Sequence, residues 1–108
     1  MNNTDNATRN RNNEIAQTIL TQLGGNKFRV MTGSKQFIAG TNSLSMKLAR
    51  NASGANYLRI TLGSMDVYKM EFISIRAGKM KTKHEFENVY CDKLVSFFES
   101  TTKLYTSL

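Results

Sequence analysis

Between residues 14 and 23 the apolar side chains Ile15, Ala16, Ile19, Leu20 and Leu23 recur three and four positions apart, the spacing of one face of a helix. Asn12 or Asn13 can cap that helix through a side-chain oxygen, and Glu14 suits the positive end of the helix dipole. Gly24 and Gly25 stop it after about three turns, because glycine takes the left-handed conformation that ends a helix at little cost. From Lys27 to Lys83 the period becomes two, with glycine or asparagine at each break: Gly33, Gly40, the 51–54 stretch, Gly63 and Gly78. This spacing predicts strands at 27–31, 35–39, 43–49, 56–62 and 66–76, and a further one at 79–84. Leu44, Met46 and Leu48 alternate with Ser45 and Lys47, and Leu58, Ile60 and Leu62 with Tyr57, Arg59 and Thr61, so one sheet face is apolar and the other wet. In 66–76 the phase slips: Tyr68, Met70 and Phe72 agree with one another, while Ile73 and Ile75 do not. A bulge near 72–74 would reconcile them.

Helical spacing returns over 88–101, where Tyr90, Leu94, Phe97, Phe98 and Thr101 form a stripe. Leu104, Tyr105 and Leu108 follow it and are expected to dock. The fold class predicted is α+β: an N-terminal helix, a four- to six-stranded antiparallel meander joined by short turns, and a C-terminal amphipathic helix packed on the apolar sheet face. Since only that face is consistently apolar, both helices belong on it. Residues 1–13 hold six asparagines and no large aliphatic side chain after Met1, which predicts a disordered arm ahead of a single domain over 14–108.

With 108 residues the chain suits one core. No apolar run is long enough to span a bilayer or to serve as a signal peptide, so a cytoplasmic protein is expected. A single cysteine, Cys91, excludes an internal disulfide, and together with the single histidine, His84, leaves no ligand set for zinc. A Cys91–His84 dyad lacks a third, orienting group, which favours incidental roles for both residues. Glu85 and Glu87 read as solvated charge. The 31–35 stretch, Met-Thr-Gly-Ser-Lys, has neither the spacing of a P-loop nor a helix after it, and reads as a turn. No cofactor, no metal and no catalytic residue is expected, and the chain reads as a non-enzyme.

Charge is the strongest clue. Fifteen Lys and Arg against eight Asp and Glu give +7 and a pI near 9.8, which favours an acidic partner, nucleic acid being the commonest. Residues 1–26 are neutral and residues 84–108 carry −2. Between 27 and 83 there are eleven cations (Lys27, Arg29, Lys35, Lys47, Arg50, Arg59, Lys69, Arg76, Lys79, Lys81, Lys83) against Asp66 and Glu71, a net +9. Lys27, Arg29, Lys47 and Arg59 fall on the polar phase of their strands, with Tyr57 in phase for base stacking. Lys79, Lys81 and Lys83 add a basic edge. These eight are the predicted nucleic-acid-binding residues, making phosphate contacts that are salt-sensitive and nearly independent of sequence, with single strands favoured by the stacking ring. The competing reading is that the lysines keep a small protein soluble and guard an edge strand. By topology alone, strands followed by a helix also suggest a homodimer of the kind single-strand binders form.

Two stretches, the 23–28 run Leu-Gly-Gly-Asn-Lys-Phe leading into the 31–37 run Met-Thr-Gly-Ser-Lys-Gln-Phe, and the 89–92 run Val-Tyr-Cys-Asp leading to the 104–108 run Leu-Tyr-Thr-Ser-Leu, resemble a group of small bacteriophage, prophage and plasmid proteins. The resemblance spans most of 14–108 and rests on turn glycines and packed aromatics. It implies an origin in a mobile element and a bacterial host cytoplasm, and it hands over no active site. The roles it implies are nucleic-acid handling, inhibition of a host defence factor by binding an acidic protein surface, or a place in virion structure or assembly.

Overall fold

The computed structural model describes residues 3–106. In chain order it holds helices α1 (Asn3–Leu23) and α2 (Asn26–Thr32), strands β1 (Lys35–Gly40), β2 (Ser43–Lys47), β3 (Tyr57–Leu62), β4 (Tyr68–Arg76) and β5 (Lys79–Val89), and helix α3 (Leu94–Thr102). The five strands form one antiparallel sheet in sequence order, the meander that the short turns predict. Ala16, Ile19 and Leu23 of α1, Phe28 of α2, and Leu94 and Phe98 of α3 are buried in one cluster with Leu44, Met46, Leu58, Ile60, Met70 and Phe72 of the sheet. The helices therefore share the apolar face, and the fold is α+β as expected.

Helix α1 ends where the two glycines require. The Gly25 N–H donates to the Leu20 carbonyl (2.8 Å) and the Gly24 N–H to Thr21 (3.1 Å), with both glycines at positive φ, a Schellman closure. Its start differs from expectation. The helix runs through most of the segment read as a disordered arm, since no glycine or proline interrupts residues 3–23. Asn12 does not cap it: its Oδ1 accepts the Asn42 N–H at 3.1 Å, tying the middle of the helix to the β1–β2 turn.

The 27–31 segment is α2, not a strand. Phe28 is fully buried and meets Phe98 edge-on with ring centroids 4.9 Å apart, while Val30, its apparent partner in a period of two, is 72% exposed. The operative pair is Phe28 and Thr32, four apart; the Thr32 hydroxyl donates to the Phe28 carbonyl at 2.7 Å. Gly33, at φ 70°, closes the turn through its N–H to Arg29. Tertiary packing of one large ring overrides the β preference of a short Val- and Phe-containing stretch.

The irregularity expected near 72–74 is present, but its extra residue is on β5 and β4 itself keeps its phase. β4 pairs with β3 in unbroken register from Leu62↔Tyr68 to Tyr57↔Ile73. The shifts lie between β4 and β5, where Phe72 opposes His84 and Ile73 opposes Thr82, leaving Lys83 as the extra residue on β5. Ile73 keeps its strand phase and lies opposite Tyr57 on the outer face, buried there at 1% exposure. β5 runs to Val89, past the predicted end at 84, so α3 begins at Leu94 rather than 88, after a 3-10 turn at Cys91–Lys93. Tyr90 is accordingly 62% exposed and off the helical stripe. In the C-terminal tail Leu104 packs against the core and Tyr105 is 57% exposed; Leu108 lies outside the described residues. No described helix is long and apolar enough to cross a membrane.

Candidate nucleic-acid interface

The eight residues predicted from the sequence divide among three places. Lys27 and Arg29 lie on α2, because that segment is helical, and the Arg29 guanidinium sits over the Phe37 ring at 5.4 Å. They do not join the sheet face. Lys47, Tyr57 and Arg59 do lie on the outer face, with Lys47 opposite Tyr57 and Arg59 opposite Ser45. Lys79 and Lys81 oppose Arg76 and Ser74. These positions share the phase of the buried Phe72, so the β4–β5 hairpin presents its lysines on the helix side, where it projects past the core.

Pairing across the middle of the outer face removes much of its charge. Arg59 grips Glu71 with two bonds, Nε to Oε1 at 3.0 Å and Nη2 to Oε2 at 3.3 Å. The same carboxylate holds the Arg59 guanidinium above its ordinary range, the hydrogen bond being the largest cause. Beside it Lys69 meets Glu85 at 2.7 Å, and that hydrogen bond pushes the ammonium up. A bidentate arginine already neutralised by a neighbour is a poor phosphate ligand. Among the predicted residues Arg59 is thus placed correctly and occupied.

The other end of the strands is different. The row Lys35, Lys47, Tyr57, Ile73, Thr82 crosses all five strands in register. The charged side chains just beyond that row are basic: Arg50 in the 48–56 loop, Arg76 at the end of β4, and Lys79 and Lys81 at the start of β5, while Lys83 bulges from β5 beside Thr82 on the near side of the row. Lys103 joins them from the end of α3, because the Ala52 N–H donates to the carbonyl of the adjacent Thr102 at 2.9 Å. Eight of the chain's fifteen cations gather there, and neither of the two ion pairs among the described residues involves any of them. Glu99, one turn before Lys103, is taken up by Thr106, whose N–H and hydroxyl donate to its Oε2 at 2.8 and 3.1 Å.

The loop at this end is stiff. Asn51 is its hub: its Nδ2 donates to the carbonyls of Ala49 (2.7 Å) and Ala55 (2.9 Å), and its Oδ1 accepts from the Ser53 N–H (3.0 Å) and hydroxyl. Asn56 locks the loop to β4, donating to the Ile75 carbonyl and accepting the Ile75 N–H, both at 2.9 Å. Half-buried Tyr57 stands where the loop enters β3, between Lys47 and Ile73. Of the cations here, Lys35, Arg50, Arg76 and Lys103 are additional to the predicted set. They lie in turns and at element ends, where no periodicity marks which side a charge serves, and only strand register and loop closure bring them together.

The opposite end carries acid. A cleft of about 430 Å³ between α1 and the turns near β4 is lined by Glu14, Gln22, Asp66, Tyr68 and Cys91, among others. The Tyr68 phenol is pushed above its ordinary value, chiefly by burial and then by Cys91 and Asp66, with Gln22 working in the opposite direction. His84 lies in β5 with its ring edge-on to Phe72 at 6.5 Å. Five residues of extended strand, about 16 Å, separate His84 from the strand end before Cys91, so the sequence-suggested dyad is not assembled. Among the described residues no group of three or more His, Cys, Asp or Glu could hold a metal ion. Comparison with protein-family models, with curated proteins and with solved structures returns no match.

Proposed function

We propose that this protein binds nucleic acid without chemically altering it, and that the basic end of the sheet, rather than its broad outer face, makes the contact. The observation that carries the reading is the gathering of eight cations, none in an ion pair among the described residues, around a rigid loop. Solubility calls for charge spread over a surface, whereas a polyanion binder concentrates it. Phosphate contacts dominate, with Tyr57 as the stacking ring at the margin, so single strands are bound in preference to duplex and base sequence matters little. The resemblance to small phage and plasmid proteins agrees with an accessory role of this kind.

Fluorescence anisotropy with labelled single-stranded and double-stranded DNA and RNA at low and physiological salt tests the proposal. Binding should weaken along a log-salt slope of about −0.7 for each phosphate contacted on a single strand. No binding at low salt would sink it. In that event the basic end would be tested against acidic host proteins in nuclease-treated lysate.

A further inference from the structure

At the centre of the basic end lies a cleft of about 450 Å³ between the 48–56 loop and the end of β4, lined by Arg50, Asn51, Gly54 and Arg76 among others, with no carboxylate among the described residues of its wall. Arg50 enters from the start of the loop and Arg76 from the last position of β4. The Arg76 Nε donates to the Ser74 hydroxyl at 3.1 Å, which orients the guanidinium and leaves its two terminal nitrogens for a ligand. The Lys83 Cε comes within 3.9 Å of where a side chain on Gly54 would begin. The bulge that displaces Lys83 from the β5 ladder thereby brings its charge to the loop.

From residue 52 to residue 56 the loop's N–H groups are committed. Those of Ala52 and Asn56 donate to the carbonyls of Thr102 and Ile73, that of Ser53 to Asn51 Oδ1 and that of Ala55 to the Ser53 hydroxyl. Along that stretch an anion would be held by side chains, not by a backbone nest. Two arginines lining one stiff cleft suit the tetrahedral oxygens of a phosphate, which guanidinium forks match in pairs.

We infer that this cleft is a phosphate subsite, with Arg50 and Arg76 as the gripping forks and Lys83 as a third positive charge. The inference rests on the nucleic-acid reading for its ligand and goes beyond it by assigning a bound group to named side chains. The phosphate could be internal to the strand or terminal, and oligothymidylate with a 5′-phosphate or a 5′-hydroxyl separates the two.

The test uses charge-conserving variants. Arg50→Lys and Arg76→Lys keep the net charge and remove the fork, so each should weaken oligothymidylate binding about fivefold or more, whereas Lys93→Arg, in the 3-10 turn before α3 and away from the basic end, should change it by less than about twofold. Equal affinity for the two oligonucleotides assigns an internal phosphate, and tighter binding of the 5′-phosphorylated one assigns a terminal phosphate; both support the subsite. Wild-type affinity in both Arg→Lys variants would overturn it and leave general charge attraction as the whole of the binding. If no oligonucleotide binds at all, the nucleic-acid reading fails, and inorganic phosphate followed at the Arg50 and Arg76 side-chain NMR resonances judges the cleft alone. Saturable shifts with phosphate that chloride does not produce support the subsite, and their absence overturns it.

Discussion

The middle of the outer sheet face and the end of the same sheet carry cations of the same kinds, yet they differ in what those cations can do. In the middle, strand register sets Arg59 opposite Glu71 and Glu71 opposite Glu85, and each of the two basic side chains there, Arg59 and Lys69, has a carboxylate within 3.0 Å. At the end, the row from Lys35 to Thr82 and the loop beyond it hold basic residues with no such partner among the described residues. Charge counted along the chain treats the two regions alike. Available charge depends on which residues sit across the ladder, because opposite charges at neighbouring positions satisfy each other before any ligand arrives.

The largest effect that separates the two regions should come from charge reversal at the end. Arg50→Glu combined with Lys83→Glu should reduce single-strand affinity by about a hundredfold or more at low salt, with the melting temperature nearly unchanged, since neither side chain is in an ion pair among the described residues and phosphate contacts supply most of such affinity. Anisotropy and thermal denaturation on one preparation check both halves of that expectation. If the paired middle of the face bound equally well without the end, the contrast would collapse.

Next in size is the loop hub. Asn51→Ala removes four hydrogen bonds at a half-buried site and should cost about 1–3 kcal/mol of stability. Its binding loss should exceed that of an exposed neutral substitution such as Thr41→Ala, because the cleft loses its shape. Chemical denaturation measures the first effect and anisotropy the second.

The paired middle gives a smaller and opposite signal. Glu71→Gln releases Arg59 from its carboxylate and should tighten polyanion binding about two- to threefold with a steeper salt slope, while Arg59→Ala should leave binding within about twofold and cost under about 1 kcal/mol, as half-exposed ion pairs do. A large loss of binding in Arg59→Ala would mean that the middle of the face is itself the contact surface.

The smallest effect lies at the acidic end. The Tyr68 phenol is held above its ordinary value near 10, so the folded protein keeps that proton when the unfolded chain has begun to lose it. Stability from this source is fully present below the ordinary value and declines as pH rises through it. Between about pH 9 and 11 the wild type should therefore lose more stability than Tyr68→Phe, as read from denaturation midpoints across the range. Parallel pH curves for the two proteins would show that burial of Tyr68 has no such consequence.

Much of the architecture is legible in the residue pattern. The clean alternation of 43–47 and 57–62 marks β2 and β3, the glycine pair ends α1, and short turns between polar-apolar runs leave little alternative to an antiparallel meander. The failures are equally specific. Phe28 and Val30 read as strand because a seven-residue helix shows barely two turns of periodicity, and the deciding contact, Phe28 on Phe98, joins residues seventy positions apart. The out-of-phase Ile73 lies on the outer face opposite Tyr57, and the nearby irregularity sits on β5, which no reading of β4 alone could locate.

For the candidate site, the sequence by itself determined the excess of positive charge, its concentration between 27 and 83, and the outward phase of Lys47, Tyr57 and Arg59. These follow from composition and from a side-chain period of two, both local properties. Tertiary structure alone decided that Arg59 and Lys69 are neutralised, that Lys27 and Arg29 lie on a helix, and that Arg50, Arg76, Lys83 and Lys103 meet around one loop. Those outcomes depend on register and on chain closure over tens of residues, where electrostatic attraction falls off with distance in space and takes no account of separation along the chain.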